Sequence, residues 1–166
     1  NNGVDKGTSD NQDHLAGGAI AVHGHVVIQN SLFDSNYVHH NYASQGEILS
    51  ASGGAVNISY GGNNQDLSNW NNVPYSIFSS NIVSNTWVRV TGSVDGAHVR
   101  SGTKIKMENN LIINNSVSTE INQNGWDIRG GILIEQYNSP AAPIAFINNT
   151  VAYNSMQQPS SGSNAY

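Results

Sequence analysis

The chain contains no cysteine. That absence removes disulfide frameworks, zinc–thiolate sites and thiol nucleophiles, and it is compatible with secretion, because stacked strands need no covalent staples. Charge is also scarce: Asp, Glu, Lys and Arg make up 10% of 166 residues. The six Lys and Arg are scattered and the net charge is −5, so no basic cluster exists for a nucleic-acid backbone and nucleic acid is not an expected partner. No apolar run reaches the roughly 18 residues of a membrane span. Apolar residues at helical spacing are missing too, which sets helical repeats aside. The chain does not open on Met, and no signal-peptide pattern is visible. No amphipathic cap precedes the first repeat and none follows Asn154, so the expectation is a segment of a longer protein.

What is present is a repeat built from Asn, Gly and alternating apolar residues. Its best-aligned half reads VVIQNSLFDSN (26–36), YSIFSSNIVSN (75–85), IKMENNLIINN (105–115) and IAFINNTVAYN (144–154). Val26, Tyr75, Ile105 and Ile144 form one column, and Ile28, Ile77, Met107 and Phe146 form another two residues on. That spacing puts both on one face of a strand. A polar corner follows at Asn30, Ser79, Asn109 and Asn148, then an apolar column at Phe33, Ile82, Ile112 and Val151. Asn36, Asn85, Asn115 and Asn154 close the copies. The other half opens on Gly17-Gly18-Ala19-Ile20, Gly53-Gly54-Ala55-Val56, Asp95-Gly96-Ala97 and Gly130-Gly131-Ile132. Alternation there aligns Ile20/Val22, Val56/Ile58, Ala97/Val99 and Ile132/Ile134 as inward pairs.

Repeats of roughly 20 to 50 residues signal a solenoid, a propeller or an array. A propeller blade needs four strands and its own aromatic signature, whereas each repeat here offers two clear short strands and sometimes a third, such as WVRV (87–90). Asn and Gly tolerate sharp left-handed bends. An inward Asn at the same corner of every coil can bond the backbone above and below, so Asn36, Asn85, Asn115 and Asn154 are expected to form a structural ladder. The expected fold is all-β, a parallel β-helix of about four coils with long loops. Residues 1–15 read as a lead-in or the end of a preceding coil, 16–155 as the coils, and 156–166 as a linker or the start of a further coil. The longest loop, 60–74, lies on one face, where solenoids often bind.

The pairing of GGAI (17–20) with FDSN (33–36), and of GGAV (53–56) with the relaxed IVSN (82–85), resembles the polymorphic outer-membrane-protein repeat of the right-handed, pectin-lyase-like β-helix group. IINN (112–115) and VAYN (151–154) are relaxed second halves. The resemblance covers residues 16–155. It implies right-handedness and membership of a secreted or surface-displayed protein, often an adhesin. Its enzymatic relatives are polysaccharide lyases and glycoside hydrolases.

The outward residues of the first strand are where chemistry would sit. Alignment places His23, Ser59, Arg100 and Glu135 in one column, with His98 beside Arg100. Successive strands lie about 4.8 Å apart, so Arg100 and Glu135 would be neighbours. Such a patch suits sugar binding or acid–base work; its bland counterpart is a solvated salt bridge. His23, Trp70, Arg100 and Glu135 are the candidate ligand-binding residues, and His98, Arg100 and Glu135 the candidate catalytic ones if the chain is an enzyme. Trp70 sits in a polar loop and can offer its ring to a sugar. Trp87 and Trp126 can do the same, and their bland counterparts pack Trp87 in its return strand and have Trp126 cover a core edge. His23 and His25 point the same way on a strand, but close-spaced further ligands are missing, so neither a metal nor a cofactor is expected. The acids share no outward column, as a paired-carboxylate glycosidase would require.

Two functions stay open. The first is a non-catalytic segment of a secreted or cell-surface protein, serving as stalk, adhesin or assembly module. The second is a carbohydrate-active enzyme or glycan-binding module. Expected partners are a polysaccharide or cell-surface glycan, and further copies meeting at open coil ends.

Overall fold

The computed structural model describes residues 3–6, 14–16, 18–40, 50–52, 54–59, 74–90, 99–101, 104–119, 132–134 and 143–157. These form short strands joined by sharp corners, with no helix among them. β1 (Gly3–Lys6) and β2 (His14–Ala16) come first. The first repeat supplies β3 (Ile20–His23), β4 (Val27–Gln29), β5 (Leu32–Asp34) and β6 (Tyr37–His40). After β7 (Ser50–Ser52) the second supplies β8 (Val56–Ser59), β9 (Ser76–Ser79), β10 (Ile82–Ser84) and β11 (Trp87–Val90). The third gives β12 (Val99–Ser101), β13 (Ile105–Glu108), β14 (Leu111–Ile113) and β15 (Ser116–Thr119). The fourth gives β16 (Ile132–Ile134), β17 (Ile144–Ile147), β18 (Thr150–Ala152) and β19 (Ser155–Gln157).

Like strands stack on like. Three four-stranded sheets run β3-β8-β12-β16, β4-β9-β13-β17 and β5-β10-β14-β18, and a five-stranded sheet runs β1-β6-β11-β15-β19. β2 pairs with β7. Every pairing is parallel. The chain visits the sheets in the same order in each repeat, so the molecule is solenoid-like and one repeat is one coil.

The core follows from strand alternation. Covered by the coils stacked over them, Ile28, Phe78 and Met107 bury one inward row and Phe33, Val83 and Ile112 a second. Val38, Val88 and Val117 bury a third, on the five-stranded sheet. Each such side chain contributes about 1.5–3 kcal/mol through its removal from water.

Two corners shape each coil. At each, one residue takes a left-handed backbone and the next turns inward. The left-handed residues at the first corner are Asn30, Ser80, Asn109 and Asn148, and at the second Ser35, Asn85, Asn114 and Tyr153. Asn is enriched there because its short polar side chain tolerates the conformation. The inward residue leaves a backbone N–H facing the interior, and the amide of the coil above takes it up. Ser31 N–H donates to Asn81 Oδ1, Asn81 N–H to Asn110 Oδ1 and Asn110 N–H to Asn149 Oδ1, each at 3.0 Å. Each amide then donates from Nδ2 to a carbonyl of the coil below: Asn81 to Ile28, Asn110 to Phe78 and Asn149 to Met107. The N–H groups of Ser31, Asn81 and Asn110 are thus satisfied between coils, which removes a cost of about 1–3 kcal/mol per buried group.

Gly18 illustrates why a coil opens on glycine. A Cβ there would run into the Gly54 carbonyl oxygen and stand 2.7 Å from the Tyr37 carbonyl oxygen. The coil above comes this close because Ala19 and Ile20 N–H both donate to the Ala55 carbonyl, at 2.9 and 3.0 Å.

The register corrects two alignments. Ile28 pairs with Phe78, not Ile77, so the second copy sits one residue later than its sequence alignment. The buried positions are Phe78 and Val83, and Ile82 faces out at 41% exposure. The alignment erred because Tyr75 and Ile77 offer apolar residues at both inward steps, whereas the register puts polar Ser76 and Phe78 there, both fully buried. Likewise Val99, not Ala97, pairs with Val56 and Ile132. The third coil therefore enters its sheet two residues after the Asp95-Gly96-Ala97 turn suggests.

Candidate functional site

The one-residue shift changes the ladder. Asn85 is not a rung: it is exposed, with φ 53°, and takes the left-handed position of that corner. The inward residue is Thr86, fully buried beneath Asn115. Its N–H and its hydroxyl both donate to Asn115 Oδ1, at 3.0 and 2.8 Å. Asn115 N–H and Nδ2 donate in turn to Asn154 Oδ1, and Asn36 is buried at the same corner of the first coil. Asn81, Asn110 and Asn149 form the parallel ladder at the first corner, which the sequence columns did not single out. Its signal was present: each follows the left-handed corner residue directly.

Asn85 has a different task. Its Nδ2 donates to Asp34 Oδ1 at 2.7 Å, beside the Ser84 hydroxyl at 2.8 Å. Ser35 donates to the other carboxylate oxygen. Hydrogen bonds from Ser84, then Asn85, then Ser35 hold the Asp34 carboxyl below its ordinary 3.8. This pins the second corner of the first coil to that of the second, on the outer surface.

Of the proposed His98–Arg100–Glu135 patch only Arg100 lies within the described residues. Arg100 lies on β12, and its register partners are Asn57 and Leu133 rather than Glu135. The two-residue displacement of the third coil is the reason. His98 and Glu135 lie outside the described residues, as does Trp70. His23 ends β3 opposite Ser59. Among the described residues no three His, Asp or Glu side chains gather as metal ligands, and no helix is long and apolar enough to cross a membrane.

The outer face of the five-stranded sheet holds the feature that sequence reading left apart. Because Val38, Val88 and Val117 point inward, Tyr37, Trp87 and Ser116 point outward at neighbouring levels of the stack. The Tyr37 and Trp87 rings lie parallel, with centroids 4.7 Å apart and 8° between planes. His39, two residues along β6, meets the indole at 5.7 Å in a tilted arrangement. Trp87 is thus not packed into the interior of its return strand. Correct register would have revealed the pair, since Tyr37 and Trp87 occupy one row only after the second copy is moved by one residue. Elsewhere, Lys106 pairs with Glu108 at 2.8 Å on the outer surface, and the buried Lys104 holds its Nζ 4.4 Å from the Tyr75 ring centroid.

No family model, curated protein or solved structure matches the chain.

Proposed function

We propose that the chain is a right-handed parallel β-helix segment, a non-catalytic assembly module of a secreted or cell-surface protein that works by stacking coil upon coil. The supporting observation is the state of the fourth coil. Phe146, Val151 and Met156 continue the three inward rows, yet are 49%, 45% and 38% exposed. The ladders continue too. Asn149 and Asn154 accept from the third coil and donate back to Met107 and Ile112 carbonyls. The N–H groups of these two residues, which lower down would meet the next amide, have no partner among the described residues. An apolar face flanked by aligned backbone donors and unpaired strand edges fits one kind of surface, another coil with the same corners. Inward residues five positions apart, as in Asn110 and Asn115, supply the matching acceptors. Right-handedness follows the general preference for right-handed crossovers between parallel strands.

Sedimentation equilibrium tests this reading. The expected result is association that strengthens with concentration between about 10 μM and 1 mM, a range where exposed edges and apolar surface act. Phe146→Glu combined with Val151→Glu should leave monomers. A wild-type chain that stays monomeric across the range, or association indifferent to the double substitution, would rule out assembly through this end.

A further inference from the structure

We infer that the face of Trp87 turned away from Tyr37 is a binding site for a pyranose ring of a neutral, β-linked oligosaccharide. The site goes beyond the assembly role, which concerns the end of the stack and not its side.

The outward row in question reads Gly3, Tyr37, Trp87, Ser116, Ser155 along the sheet. Two aromatic rings are stacked in the middle, and small residues flank them on both sides. One face of the indole is covered by Tyr37. The other looks along the stack toward the level of Ser116, whose side chain is too short to cover it, and Ser155 continues the clearance to the fourth coil. Strand spacing makes each level about 4.8 Å, so a ring lying parallel to the indole finds van der Waals distance without displacing a bulky side chain of this row among the described residues. The Tyr37 stack fixes the indole plane parallel to the coils before any ligand arrives, which lowers the ordering cost of binding.

The chemistry of the rim chooses the ligand. The indole face is electron-rich and attracts the weakly positive C–H bonds of an apolar ring face. Around that face stand hydroxyls: Ser116 and Ser118 on β15, both partly exposed, and Ser155 on β19, exposed. A pyranose with equatorial hydroxyls has this same division, with axial C–H groups on its faces and hydrogen-bonding groups at its edge. Apolar partners would meet serines instead of a greasy wall. A glucose unit of a β-1,4-linked chain is the simplest match.

The experiment is titration of the whole chain with cellohexaose, followed by calorimetry and by saturation-transfer NMR. Saturation is expected to be strongest at the axial ring protons. Trp87→Ala should weaken binding about ten-fold, the equivalent of one stacked ring. Ser116→Trp should do the same by filling the shelf, with an unchanged thermal midpoint, since Ser116 faces out; it keeps the test sharp if Trp87→Ala unfolds. No binding of cellohexaose at about 10 mM, where even a Kd weaker than millimolar registers, would overturn the site. So would affinity that survives Ser116→Trp, or that falls with Trp70→Ala alone. Association in the ultracentrifuge is read separately, so loss of either property leaves the other measurable.

Discussion

The third and fourth coils carry equivalent side chains on equivalent strands, yet their environments are opposite. Met107, Ile112 and Val117 are at most 1% exposed, whereas Phe146, Val151 and Met156, the next residues in the same rows, are 38% to 49% exposed. Asn110 lies between Asn81 and Asn149, and Asn115 between Thr86 and Asn154. Asn149 and Asn154 bond on one side. The lesson concerns where stability resides. A coil of short strands cannot bury its own apolar row, because the side chains meet along the stack and not within one coil. Stability is therefore a property of neighbouring pairs of coils.

This contrast can be broken most forcefully in the core. Phe78, fully buried and 6.1 Å from the Phe33 ring, should lose about 3–5 kcal/mol on replacement by Ala. Phe146→Ala should lose less than about 1.5 kcal/mol, because half its surface already meets water. Chemical unfolding of both variants measures the gap; equal losses would mean that the fourth coil is covered in solution.

The ladder gives the next largest difference. Asn110→Ala strands the Asn81 N–H and the Phe78 carbonyl in the interior, at a cost of about 2–5 kcal/mol. Asn149→Ala strands equivalent groups at an end that water reaches, and about 1 kcal/mol is expected. Thermal unfolding of the pair reports the ratio, and Asn110→Asp separates the acceptor from the donor, since it keeps only the former.

The smallest effect belongs to Asp34, which ties the first coil to the second from outside. Its folded value is lowered, so its contribution is fully present above the ordinary 3.8 and is lost as pH falls through the folded value. Asp34→Asn should lower the thermal midpoint slightly at neutral pH, and the difference should shrink in acid below that window. A gap that stays constant down to the most acid conditions would show that the carboxylate charge is not what the Ser84 and Asn85 bonds stabilise.

How much of this was legible beforehand depended on the kind of signal. Alternation and the Asn-rich corners were enough for all-β, for parallel stacking and for a shared polar corner, because a two-residue period and a left-handed Asn are local properties of the chain. Register was not local. Ile77 and Phe78 are both apolar neighbours, and either satisfies the inward column; only Asn81 against Ser31 and Asn110 decides between them. The same ambiguity hid Tyr37 against Trp87, and a separate two-residue step set Arg100 level with Leu133.

The sequence by itself determined the coil: which residues bend, which alternate, and that cysteine and dense charge play no part in holding it together. The tertiary structure decided the partners. It put Thr86 and not Asn85 under Asn115, aligned two rings that lie far apart in the chain, and left Phe146 in water while Met107 is dry. The physical reason is that contacts between coils act across loops of unequal length. A chain cannot specify them residue by residue until hydrogen bonds and packing select one register from several that differ by a single step.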